Sequence, residues 1–181
     1  HYGMSPDLIT IAKGLTSAYA PLSGSIVGDK MWKVLEQGTD ENGPIGHGWT
    51  YSAHPIGAAA GIANLKLIDD LKLVENAGRV GAILNAALTD AVGGHAHVAE
   101  VRGEGMIAAV EFQKDVEGRE FFDPSEKVGA RVSAALLEEG VMGRAMPQGD
   151  ILGFAPPFCL TESEVEEIAS KTAKAVKSVL G

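Results

Sequence analysis

The chain has 181 residues, 45% hydrophobic and 22% charged, with a net charge of −9 at pH 7, an ordinary globular composition. No apolar run approaches the roughly 20 residues a membrane-spanning helix needs, and no basic start with an apolar core marks a signal peptide. The acidic balance, with no basic stripe, argues against nucleic acid or anionic membrane as a partner. A single cysteine, Cys159, excludes an internal disulfide, and five scattered histidines form no zinc pattern; the expected compartment is the reducing cytoplasm. The sequence starts at His1 and enters a strand within a few residues, so it reads as a piece of a longer protein.

In chain order, Leu8 to Ile11 reads as a short buried strand, followed by Lys13-Gly14. Leu22 to Val27 is a second apolar run whose small residues suit close backbone packing. Asp29 is placed to cap a helix to about Glu36, and Gly38 to Gly48 reads as a loop by its glycines and proline. Ile56 to Leu71 is a helix of small residues fitted to a close neighbour, and Val74 to Val92 carries Val80, Leu84 and Leu88 at helical spacing. Val98–Arg102 and Met106–Phe112 flank Gly103-Glu104-Gly105 as a hairpin. Asp123-Pro124-Ser125-Glu126 opens a helix that Gly140 ends. Val141–Met146 and Asp150–Phe154 form another strand pair, and Thr161-Glu162-Ser163-Glu164 is a capping box for a last helix burying Val165, Ala169, Thr172 and Val176.

Three places could carry chemistry. Lys13, at the end of a strand, is either a Schiff-base lysine or a surface lysine in a turn. In Gly48-Trp49-Thr50-Tyr51-Ser52, hydroxyls and amides precede a helix start. They suit a phosphate, but Thr50 or Ser52 could equally be a plain helix cap. Arg144 could hold a carboxylate bidentately or lie solvated on a sheet edge. His47 and His54 lack any nucleophile or metal-ligand arrangement and read as structural.

Taken together, Asp7-Leu8-Ile9-Thr10-Ile11-Ala12-Lys13-Gly14-Leu15, Ala20-Pro21-Leu22-Ser23-Gly24, His47-Gly48-Trp49-Thr50-Tyr51-Ser52-Ala53-His54-Pro55 and Phe154-Ala155-Pro156-Pro157 stand in one order. In that order they resemble the class III (omega-aminotransferase-like) family of pyridoxal-phosphate enzymes, over essentially the whole chain. The resemblance implies an α/β fold of fold type I: residues 1–72 are the end of the large mixed-sheet cofactor domain, and 73–181 a small C-terminal α+β domain that includes the linker helix. It implies pyridoxal phosphate as cofactor, Lys13 as its Schiff-base and proton-shuttling residue, and Thr50 as a ligand of the neighbouring subunit's cofactor phosphate, hence a homodimer. Ornithine-type members carry an arginine where this chain has Gly153. Amine–pyruvate and omega-amino acid–pyruvate members resemble it instead in an arginine matching Arg144, which would receive a substrate carboxylate. Arg102 matches a family pattern and reads as structural.

The family's pyridine-nitrogen aspartate, ring-stacking aromatic and glycine-serine phosphate loop lie upstream of the lysine, and only twelve residues precede Lys13. The expected protein is therefore the C-terminal part of an aminotransferase, not active by itself, that moves an amino group from an amine or omega-amino acid to pyruvate or a similar keto acid by a ping-pong route. A decarboxylase or aminomutase on the same scaffold, or a non-catalytic interaction module, are the alternatives.

Overall fold

The computed structural model describes residues 2–181, and the chain divides into two compact units, residues 1–71 and 72–181. In the first, β1 (Leu8–Ile11) pairs antiparallel with β2 (Gly24–Val27) in the register Leu8↔Val27 and Ile11↔Gly24. A single 3-10 turn, Lys13–Leu15, follows β1 directly. Then come α1 (Asp29–Asn42) and, after a loop, α2 (Pro55–Asp70). The small residues of α2 do what their size allows. A Cβ on Gly57 would sit 3.2 Å from the Pro21 carbonyl, and one on Gly61 3.1 Å from Leu22 Cδ2. The helix thus lies directly against the segment that leads into β2.

This unit has almost no interior. Among the described residues its buried ones are Thr16, Gly57 and Gly61, while Leu8, Ile26 and Ile62 are 54%, 51% and 69% exposed. The strand at Leu8–Ile11 forms as expected, but here it is not a buried one.

Residues 72–181 hold the core. The sheet order is β3-β4-β6-β5, all antiparallel, with β3 at Val98–Glu104, β4 at Ile107–Phe112, β5 at Arg144–Ala145 and β6 at Ile151–Phe154. Ala108, Val110, Phe112, Leu152 and Phe154 alternate onto one face. There they join Val80, Leu84 and Leu88 of α3 (Leu73–Val92), Val128, Val132 and Leu136 of α4 (Val128–Glu138), and Val165 and Val176 of α5 (Glu162–Leu180). This is a two-layer α+β arrangement, in which each fully buried leucine or valine contributes about 1.5–3 kcal/mol. Gly81 and Gly103 are steric requirements: a side chain on Gly81 would overlap the Gly105 backbone, and one on Gly103 the Asn85 side chain and the Ile107 carbonyl. No helix among the described residues is long and apolar enough to cross a membrane.

Several local expectations are corrected. Gly28, not Asp29, is the N-cap of α1, and the helix continues through Gly38 to Asn42. Thr39 Oγ1 donating to Leu35 O (2.9 Å) and Gln37 Nε2 to Glu41 Oε1 (3.0 Å) hold its last turns until Gly43, at φ +87°, ends it. Asp123 caps a 3-10 turn, Pro124–Glu126, by accepting from Ser125 N; Lys127, at φ +48°, separates that turn from α4. The hairpin strands run to Glu104, so the turn is Gly105-Met106. Residues 141–143 do not join β5, because Val141 N donates to Leu136 O and Ser133 Oγ to Gly143 O, tying them to α4. The capping box at Thr161 and Glu164 forms completely.

Candidate active site

Lys13 follows β1 after a single residue and starts the 3-10 turn with φ +52°. A lysine in the left-handed region costs about 1–2 kcal/mol, so its surroundings must hold it there. Leu15 N donates to Ala12 O (3.1 Å) and Thr16 N to Lys13 O (3.2 Å). Asn64, reaching across from α2, donates through Nδ2 to Gly14 O (2.8 Å) and Leu15 O (3.2 Å) and accepts from Ser17 Oγ (2.7 Å). The buried Thr16 closes the segment by donating to Ala20 O (2.6 Å). Asn64 escaped the sequence reading. It stands among the small residues of α2, and only the fold brings it 50 positions back along the chain.

Among the described residues the Lys13 amine has no hydrogen-bond or ion-pair partner. It lines a cleft of about 790 Å³ with Thr10, Ser23, Ser25, His47 and Trp49, and no carboxylate lines that cleft. The volume lies within the range of small-molecule sites. An unpaired amine beside hydroxyls, with no acid to neutralise it, fits an anionic aldehyde.

The Trp49–Ala53 turn is folded on itself. Trp49 N donates to Ser52 Oγ (3.0 Å), Ser52 N donates to Trp49 O (2.9 Å), and Ala53 adopts φ +57°. His54, expected to be structural, is the N-cap of α2: its Nδ1 accepts from Ile56 N (3.3 Å), and Pro55 occupies the first helical position. The plain-cap alternative for Thr50 and Ser52 therefore does not hold. Of the first helix positions, Pro55 has no donor and Ile56 uses its own on His54 Nδ1. Thr50 is exposed, its hydroxyl has no partner among the described residues, and it is not among the residues lining the Lys13 cleft although Trp49 is. His47 stacks edge-on against Trp49 at 4.7 Å.

In the second unit, Arg144 opens β5 opposite Gly153, exposed and unpartnered among the described residues. Arg102 contrasts with it, donating to Glu100 (2.8 Å) and Glu111 (2.7 Å). The hydrogen bond it donates to Glu111 is the main cause that raises its pKa above the ordinary arginine value. One guanidinium is engaged and the other is available.

A family model described as aminotransferase class-III matches residues 1–176. The chain belongs to that family. Its members depend on pyridoxal phosphate, and its fold is that of the fold type I transferases, mixed α/β. The chain is 61% identical over 179 residues to a diaminobutyrate–2-oxoglutarate transaminase of Halomonas elongata, covering 99% of this chain and 38% of the relative. It is 35% identical to a putrescine–pyruvate aminotransferase of Pseudomonas aeruginosa, covering 96% and 37%. A solved structure from the directed evolution of transaminases by ancestral reconstruction superposes with a TM-score of 0.96 at 61% identity, covering 99% of this chain and 39% of that one. The chain thus spans a little over a third of the length of these class-III relatives.

Proposed function

We propose that this chain is the C-terminal part of a homodimeric aminotransferase that moves an amino group from an omega-amino acid or diamine to a keto acid such as pyruvate or 2-oxoglutarate. Residues 1–72 complete its cofactor domain, and residues 73–181 form its small domain. The observation that carries this reading is Lys13: an unpaired amine at a strand end, lining a cleft without carboxylates, in a class-III chain. The names of the relatives, diaminobutyrate–2-oxoglutarate and putrescine–pyruvate, support the substrate classes.

When bound, pyridoxal phosphate supplies an aldehyde that captures amines and a ring that withdraws electrons from the substrate's Cα. The protein's own residues do the rest. Lys13 Nζ would hold the cofactor aldehyde, and as a free amine it would move the proton on the carbon that bears the transferred amino group. Asn64 holds the turn that aims it. Thr50 Oγ1 would donate a hydrogen bond toward the cofactor phosphate of the neighbouring subunit. Arg144 receives the carboxylate of the keto acid bidentately and withdraws for an apolar donor. The order is ping-pong, with the donor's carbonyl product leaving before the keto acid binds.

The test is the full-length enzyme with diaminobutyrate or putrescine as donor and pyruvate or 2-oxoglutarate as acceptor. Amino acid should form from the keto acid, and Lys13→Ala should abolish borohydride trapping of cofactor and lower kcat by about 10²–10⁴-fold. Trapping retained by Lys13→Ala removes Lys13 as the anchor. Carbon dioxide release, or amino migration without an acceptor, assigns the decarboxylase or aminomutase chemistry instead.

A further inference from the structure

Gly153 is a glycine without a structural reason. It sits inside β6 with ordinary, not left-handed, backbone, where glycine costs about 0.5–1 kcal/mol relative to alanine. A Cβ there would have Met146 Sδ at 3.3 Å, Arg144 O at 3.7 Å and Met146 Cγ at 4.0 Å as its nearest neighbours, so the Met146 side chain flanks the space over Gly153 and would have to shift by a few tenths of an ångström. The closest is the movable end of a flexible side chain, unlike the backbone that forbids a side chain at Gly81. A strand glycine that packing does not demand marks a place where something approaches closely.

The sheet register identifies what. Arg144 pairs with Gly153, Gly153 with Ala109, and Ala109 with Arg102. These four residues form one row across all four strands, on the face opposite the core-facing Leu152 and Val110. Neighbouring strands lie about 4.8 Å apart, so the Arg144 side chain is long enough to cross Gly153 and end between Gly153 and Ala109, short of Ala109 itself. Beyond Ala109 stand Arg102, Glu100 and Glu111, one cation against two carboxylates, which leaves a net negative charge at the far end.

We propose that Gly153 and Ala109 form a trough across this sheet in which the Arg144 side chain lies whenever no substrate carboxylate holds its guanidinium. Gly153 is then a positioning residue for specificity: it gives the arginine somewhere to go when an apolar amine occupies the site. This rests on Arg144 being the carboxylate-binding residue.

The experiment compares kcat/KM of the full-length holoenzyme for amine donors with and without a carboxylate. Gly153→Val fills the trough and should lower kcat/KM for a carboxylate-free amine about tenfold, while carboxylate-bearing donors change less than about twofold. Gly153→Ala should fall between, and it carries the comparison if the valine variant does not fold. In an Arg144→Ala background Gly153→Val should cost nothing for the carboxylate-free amine, because no arginine remains to be displaced. An unchanged ratio, a loss confined to carboxylate-bearing donors, or a loss that persists without Arg144 overturns the trough. If Arg144→Ala alone leaves carboxylate-bearing donors unaffected, the assignment of Arg144 fails first, and the trough with it.

Discussion

Lys13 draws its meaning from its neighbours. The turn that carries it is stitched by two backbone hydrogen bonds and by the Asn64 amide, which substitute for any contact to the lysine's own amine. Asn64→Ala should therefore leave the fold intact but loosen the aim of Nζ. The expectation is a loss of about tenfold or more in kcat with little change in thermal midpoint, since a misplacement of about 1 Å costs on the order of 10²-fold in a positioned reaction. Stopped-flow rates of the first half-reaction beside a melting curve check it; unchanged kcat would reduce Asn64 to a plain turn anchor. At Arg144 the contrast with Arg102 supports the proposed role: one guanidinium is committed to two carboxylates, and the other is not. Arg144→Ala should lower kcat/KM for keto acids by about 10–100-fold, in keeping with the loss of a charge-assisted bidentate pair, and should spare simple amines. Equal losses for both would take it out of the substrate site.

Among the elements, α5 shows how a short motif transmits stability. Thr161 Oγ1 and N both donate to Glu164 Oε2, at 2.7 and 2.8 Å, and these bonds lower the Glu164 pKa from its usual value of 4.5. A carboxylate with a depressed folded pKa stabilises the protein at pH above its unfolded value and loses that contribution as pH falls through the folded one. The gap in thermal midpoint between wild type and Glu164→Ala should therefore be full at neutral pH and narrow as the pH drops below about 4.5. A gap independent of pH would mean that the carboxylate charge plays no part. The elements that departed from the sequence reading share a cause. α1 runs through Gly38 because Thr39 and Gln37 bond within the helix, a local gain that composition does not register. Residues 141–143 leave their expected strand because α4 claims their backbone groups.

At the level of the whole molecule, every buried hydrophobic residue lies at Ala77 or later. Residues 72–181 expressed alone should unfold cooperatively, and residues 1–71 alone should give the circular dichroism of an unordered chain, because apolar surface left in water cannot offset the conformational entropy of ordering it. A cooperative transition in the first fragment would contradict this. The shared-site reading adds a second expectation. Mixing Lys13→Ala with Thr50→Ala subunits should restore about a quarter of wild-type activity, since half of the dimers are mixed and each regenerates one intact site of two. No recovery would place both residues in one subunit's site.

The sequence by itself was enough for the strand before Lys13, the α+β order of residues 98–181, the Thr161 capping box and the class-III resemblance. These are local or order-preserving features, encoded by periodicity, caps and motif succession. It was not enough for Asn64 beneath the Lys13 turn, for His54 as the cap of α2, for the carboxylates that occupy Arg102, or for the Arg144–Gly153–Ala109–Arg102 row. Each of these depends on which residues the chain brings opposite one another, and pairing across a sheet or between a helix and a turn is set by packing and register, which no window of neighbouring residues contains.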